Sequence, residues 1–145
     1  MLEEEFINRK INLIREDLGK LEHLRGLTID EIAKDWLKYS ALKNVLMEII
    51  GRGIDINEHL ILELMEKPEV EAPRSYRETF LALAKLKILP ENFARQIAKS
   101  AGFRNAVVHD YNEIDRYIIY RKVDDIIEEY GKYCGYVLDF LEKRL

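Results

Sequence analysis

Residues 28–65 read TIDEIAKDWLKYSALKNVLMEIIGRGIDINEHLILELM, and their apolar side chains recur at one spacing. Ile29, Ile32, Ala33, Trp36 and Leu37 are followed by Leu42, Val45, Leu46, Ile49 and Ile50, then by Ile56, Leu60, Ile61 and Leu64. Steps of three and four put such residues on one side of an α-helix, whereas a half-buried strand would alternate them. Thr28 and Glu31 form a capping box ahead of the run: hydroxyl and carboxylate each satisfy a helix N–H that has no intrahelical partner. One long helix to about Met65 is expected, with Gly51 and Gly53 able to end or bend it.

The same spacing extends in both directions. Upstream, Leu2, Phe6, Ile7, Leu13, Ile14, Leu18 and Leu21 describe a first helix. Downstream, Lys67-Pro68-Glu69-Val70-Glu71-Ala72-Pro73 reads as a loop, and Ser75-x-x-Glu78 repeats the capping signature. A shorter helix is expected near Tyr76–Lys87, carrying Phe80, Leu81 and Leu83. Pro90 suits the first turn of the next helix, where a missing N–H costs nothing. That helix uses Phe93, Ile97, Ala101 and Val108 and should end near Asp110. The last begins around Asp115 and uses Val123, Ile126, Ile127, Tyr130, Val137, Phe140 and Leu141. Tyr117-Ile118-Ile119-Tyr120 has strand-like composition, but no second strand exists to pair with it. The expected fold is all-α, a bundle of about five helices, four of them long, forming a single domain over residues 1–145.

Composition narrows the function classes. The 145 residues include 23 Lys and Arg against 27 Asp and Glu, a net charge of −4, so any nucleic-acid contact must be a local site. No apolar run approaches the roughly 18 residues a membrane helix needs, and the acidic start Met1-Leu2-Glu3-Glu4-Glu5 is unlike a signal or transit peptide. One cysteine, Cys134, rules out an internal disulfide and a cysteine-based zinc site, so a cytoplasmic protein is expected. There is no phosphate-binding Gly-x-x-x-x-Gly-Lys, no dinucleotide fingerprint around Gly51-Arg52-Gly53, and no histidine pair at metal spacing. No metal and no cofactor are expected.

The remaining polar cluster is Gly102-Phe103-Arg104-Asn105-Ala106-Val107-Val108-His109-Asp110-Tyr111. Asn105 and His109 lie one turn apart on the same helix face, and Arg104 flanks that face. Tyr111 falls just beyond. Such a set can handle a phosphodiester: arginine grips phosphate oxygens in pairs, and histidine moves protons near neutral pH. A structural reading competes with this one, because cations at a helix C-terminus meet the helix dipole favourably and a tyrosine after a helix packs its ring and wets its hydroxyl.

Arg104-Asn105-x-x-Val108-His109-x-Tyr111 resembles the Arg-x-x-x-x-His-x-Tyr signature of HEPN-domain proteins of the HepT toxin type. Ser75-Tyr76-Arg77-Glu78-x-Phe80, Gly102-Phe103, Asn112-Glu113-Ile114-Asp115 and the stretch from Ala41 to Ile61 with Gly53-Ile54-Asp55-Ile56 are similar too, so the resemblance runs from about residue 5 to residue 143. It implies a helical bundle that forms a homodimer or higher oligomer, with two motifs in one cleft. It implies a metal-independent endoribonuclease toxin acting on RNA, tRNA or mRNA; no membrane or DNA partner is expected. It further implies a cognate MntA-like minimal nucleotidyltransferase antitoxin able to transfer AMP to the motif tyrosine. On that basis Arg104 and His109 are catalytic, Asn105 supports them and Tyr111 is the modification target.

Asp55, Tyr76 and Arg77 are further candidates for the cleft, although Asp55 and Lys43 also read as a solvated helix face and Tyr76 and Arg77 as the packing of a helix start. The tyrosines of the last helix, at 117, 120, 130, 133 and 136, have stacking faces for bases, but their helical spacing, and the nearby Asp124, Asp125, Glu128 and Glu129, favour a core or dimer seam. Trp36 reads as core or interface, His59 as exposed. The rival to a ribonuclease is a non-catalytic, nucleotide-binding helical scaffold for a nucleotidyltransferase. The complete Arg, Asn, His and Tyr set favours the enzyme, because a scaffold has no need of a proton-transfer group.

Overall fold

The computed structural model describes residues 2–65, 72–109 and 115–144. Every regular element among them is a helix: α1 (Glu4–Arg25), α2 (Ile29–Lys34), α3 (Trp36–Leu64), α4 (Tyr76–Lys85), α5 (Glu91–His109) and α6 (Arg116–Lys143). The expected all-α bundle is present, with α2 as an additional short element. The Tyr117–Tyr120 run is the first turn of α6. Of the expected loop from Lys67 to Pro73, residues up to Glu71 lie outside the described segments.

Helix limits follow side-chain chemistry. Thr28 and Glu31 make the full capping box. Ser75 Oγ accepts from the Glu78 N–H at 3.2 Å, while the Glu78 carboxylate accepts from the Arg74 N–H at 2.6 Å. The single helix expected from residue 29 to 65 is instead divided at Asp35. There the backbone is extended (φ −108°, ψ 108°) and the carboxylate accepts from the N–H groups of Leu37 and Lys38. An aspartate side chain that competes for backbone donors starts a new helix more readily than it continues one. Arg116 secures the other side of the break by donating to the Ala33 carbonyl at 2.7 Å. Pro90 is one residue earlier than expected, at the cap, with its carbonyl accepting the first helical bond from Ala94.

One apolar core runs through all six helices. Ile7, Ile11, Ile14, Leu18 and Leu21 of α1 meet Leu42, Leu46, Ile49, Ile50 and Leu60 of α3, and Ile119, Val123, Ile126, Val137 and Leu141 of α6. Of the early apolar positions of the 28–65 run, Ile32 joins it but Trp36 and Leu37 do not. Trp36 is 71% exposed and Leu37 is exposed as well, because the break at Asp35 turns the start of α3 outward. His59, expected to be exposed, stacks on Phe6 at 5.0 Å between centroids and its Nε2 accepts from the Glu3 N–H.

The glycines do not bend α3. Gly53 is buried, and a Cβ there would lie 2.8 Å from Cε1 of Tyr130. Its bareness admits an aromatic cluster in which Phe80 meets the Tyr130 ring edge-on at 6.4 Å and Tyr133 at 6.0 Å. Both tyrosines are fully buried, and their hydroxyls are satisfied. Ser100 Oγ donates to the Ile97 carbonyl, which leaves the Tyr130 hydroxyl, 2.7 Å away, as donor to Ser100. Tyr133 donates towards Asn57 Oδ1 at 2.6 Å and the Gly53 carbonyl at 3.1 Å. Burial raises both phenols, and it pushes the Cys134 thiol up to about 11.

Two predictions come from this packing. Gly53→Ala gains up to about 1 kcal/mol of helix propensity but forces a ring that has nowhere to move, at about 1–3 kcal/mol. A net fall in the urea midpoint is expected; an unchanged or higher midpoint would show that the ring yields. The second concerns Glu129, half-buried on α6, whose carboxyl is pushed up to about 7 by burial and then by the Asp125 carboxylate. The folded chain therefore holds this proton more tightly than the unfolded one. The contribution is complete below the ordinary value of 4.5 and lost as pH rises to about 7. Glu129→Gln should raise the melting temperature at pH 8 and leave it nearly unchanged at pH 4.

Candidate active site

The last three turns of α5 carry the polar cluster, and their placement follows from small residues. Ala94, Ala98 and Ala101 are buried alongside Ile97, so α5 lies close against its neighbours. Beyond Ala101 the helix turns outward: Asn105, Val108 and His109 are exposed and Arg104 is half-buried.

Arg104 reaches back between α3 and α4. Its Cζ stands 5.5 Å from the centre of the Tyr76 ring, and its Nε is buried with no hydrogen-bond partner among the described residues. Gly51 is also close by: a Cβ there would stand 3.9 Å from that Nε. These residues border a groove of about 460 Å³ that also takes in Lys10, Glu48, Arg52, Asp55 and Glu58.

The groove's charges are largely matched. Lys10 Nζ holds Asp55 at 3.1 Å. Arg52 joins Glu48 at 2.8 Å and also the buried carboxylate of Asp17, which Lys20 approaches at 3.3 Å. Neither Arg104 nor Glu58 has an ion pair among the described residues. A guanidinium without a carboxylate partner, at the wall of an open groove, is chemically a receptor for an oxyanion such as phosphate.

Asp55 and Tyr76 thus share a groove with Arg104. Asn105 lines a neighbouring groove of about 360 Å³ with Ser75, Thr79, Glu58 and the other side of Tyr76. Arg77 points elsewhere, into a groove with Lys85 and Arg95. His109 borders none of these and stands exposed on the last turn of α5. Tyr111 lies outside the described residues. Lys43 is over the Tyr39 ring at 5.7 Å, away from the site. Among the described residues no group of three His, Cys, Asp or Glu side chains converges as a metal site would, and no helix is long and apolar enough to cross a membrane.

Sequence reading missed Gly51, Lys10 and Glu58 as site residues. The signal for Gly51 was available: glycine inside a helix costs about 1 kcal/mol, and one that neither ends nor bends the helix calls for a reason of space. Lys10 and Glu58 carried no such mark, since their place depends on how α1 crosses α3.

Comparison with known proteins gives the family and the fold. The sequence model of HepT-like ribonucleases matches residues 14–137. The tRNA nuclease HepT of Aphanizomenon flos-aquae is 28% identical over 142 residues, covering 97% of this chain and 92% of that protein. The mRNA nuclease HepT of Shewanella oneidensis is 28% identical over 133 residues, covering 92% of this chain and 96% of that protein. The tri-AMPylated Shewanella oneidensis HEPN toxin, solved in complex with its MNT antitoxin, has the same fold, with a TM-score of 0.78 at 22% identity over 92% of this chain and 97% of that one. With the family model matched across all but the two ends of the chain, the protein belongs to the HepT-like ribonuclease family.

Proposed function

We propose that this chain is a metal-independent endoribonuclease toxin of the cytoplasm that cleaves tRNA or mRNA, and that a minimal nucleotidyltransferase neutralises it. The observation that carries the reading is Arg104, a guanidinium with no carboxylate partner among the described residues, at an open groove and five residues before the exposed His109 on one family-matched helix. The nucleophile is the RNA's own 2′-hydroxyl, already held beside the phosphorus, so no metal is needed to generate one. The 2′-oxygen bonds to phosphorus as the bond to the 5′-oxygen breaks, leaving a cyclic phosphate on one fragment and a 5′-hydroxyl on the other. His109 exchanges the proton, and Arg104 balances the charge that grows on the non-bridging oxygens. Asn105 supports the substrate from the next groove.

The active form is a homodimer or higher oligomer in which two motifs share a cleft. Exposed Trp36 and Leu37 at the start of α3, with Tyr117 and Ile118 at the start of α6, supply apolar surface for it. Arg116 holds those two helix starts together, donating to Ala33 and lying 4.4 Å from the Tyr39 ring centre. Cleavage of RNA in EDTA is the expected result. Arg104→Ala should lower the rate by about 10²–10³ and His109→Ala by about 10²–10⁴, with melting temperatures unchanged. Specific activity should fall on dilution through the point where light scattering shows monomer. Wild-type rates in both variants, or activity that follows added metal, would reject the mechanism.

Neutralisation is assigned to Tyr111. Its phenol attacks the α-phosphorus of ATP on the partner enzyme, pyrophosphate leaves, and the attached AMP brings negative charge to the place meant for the RNA phosphate. With the cognate nucleotidyltransferase, ATP and Mg²⁺, intact-mass spectra should advance in steps of one AMP as cleavage stops. Tyr111→Phe should stay folded and stay active. Adducts mapped to another tyrosine would reject the site.

A further inference from the structure

Arg104 has a long, flexible stem, and a catalytic guanidinium must present its N–H edge to a phosphate in a fixed plane. A carboxylate partner would fix the plane but occupy that edge. The groove contains three carboxylates, yet Glu48 is bound to Arg52, Asp55 is bound to Lys10, and Glu58 has no ion pair among the described residues. What Arg104 meets instead is an aromatic face: its Cζ lies 5.5 Å from the Tyr76 ring centre. A π-face attracts the cation through its plane and leaves the donor edge untouched.

We infer that Tyr76 is the positioning residue of this site, its ring setting the plane of Arg104 while the edge stays open for phosphate. The inference rests on the assignment of Arg104 to the phosphate made above. The backbone that carries the ring is itself held. Its residue opens α4, Ser75 caps that helix, and the Tyr76 carbonyl accepts from Thr79 Oγ1 at 2.6 Å. Thr79 accepts in turn from the buried Asn57 of α3 at 3.1 Å. The side chain remains 42% exposed, so it can be altered without hollowing the core. Gly51 completes the arrangement, since any long side chain there would enter the space beside Nε.

A double-mutant cycle tests this with total RNA as substrate and EDTA present. Tyr76→Phe keeps the ring and should stay within about twofold of wild type. Tyr76→Leu keeps the bulk without the π-face and should lower kcat about threefold to thirtyfold, the range spanned by exposed and desolvated cation–π contacts. Arg104→Lys replaces the flat cation with a compact one that cannot lie on the ring in the same way. In that background Tyr76→Leu should add little, because the ring acts through the guanidinium. Penalties that multiply would mean that Tyr76 works independently of Arg104, and would overturn the inference. So would a Phe variant as poor as the Leu variant.

A second measurement does not depend on turnover. The Arg104 Nε–H resonance should carry a ring-current shift that survives Tyr76→Phe and disappears in Tyr76→Leu; an Nε–H unaffected by loss of the ring overturns the inference. If Arg104→Ala cleaves normally, the assignment of Arg104 fails. If Arg104→Ala is inactive while Tyr76→Leu is normal, only the role of Tyr76 fails.

Discussion

The hydroxyl of Tyr133 ties the bundle together. From α6 it reaches the side chain of Asn57 and the backbone of Gly53, both on α3. Asn57 passes the connection to Thr79 on α4, and Thr79 ends it on the carbonyl of Tyr76. Each link is buried or nearly so, and a buried donor or acceptor left unmatched costs about 1–3 kcal/mol. Apolar packing tolerates small slides of one helix over another, but this chain of bonds has one register. It therefore fixes where α4 begins, and the residue that begins α4 is the one lying against Arg104.

Electrostatics solves a related problem. An acidic chain must offer an anionic substrate one attractive point without a broad basic surface. On the proposed assignment of Arg104, that point arises by subtraction. Carboxylates in and beneath the groove engage Lys10 and Arg52, fastening α1 to α3. The Arg104 guanidinium, without an ion pair among the described residues, stands against an aromatic ring and a glycine, neither of which can neutralise it.

Period and capping chemistry made most of the fold legible, because both are local. Thr28 with Glu31, Ser75 and Asp115 each mark a helix start in the sequence and hold one in the structure. The break at Asp35 was hidden, since an aspartate within a strong apolar period looks like an ordinary polar position until its carboxylate is seen on two backbone donors. Burial of Tyr130 and Tyr133 followed from helical spacing, whereas the outward turn of Trp36 depended on that hidden break. At the site, the residue types on α5 could be read directly. Asp55 and Tyr76 were already candidates for the cleft, but the contact of Arg104 with Tyr76 and Gly51 could not be read, because it is set by the crossing of three helices distant in sequence. Arg77, adjacent to Tyr76 in the chain, faces another groove simply because neighbouring helical residues diverge by about 100°.

The outward turn of Trp36 also has an optical consequence. It is the chain's one tryptophan, and its indole sits in water at the corner between α2 and α3. Its emission in the folded monomer is therefore already close to that of a free indole, and unfolding has little left to change. Fluorescence of the monomer is a poor gauge of denaturation and a sensitive gauge of contact: a shift to shorter wavelength signals that another surface has covered that corner.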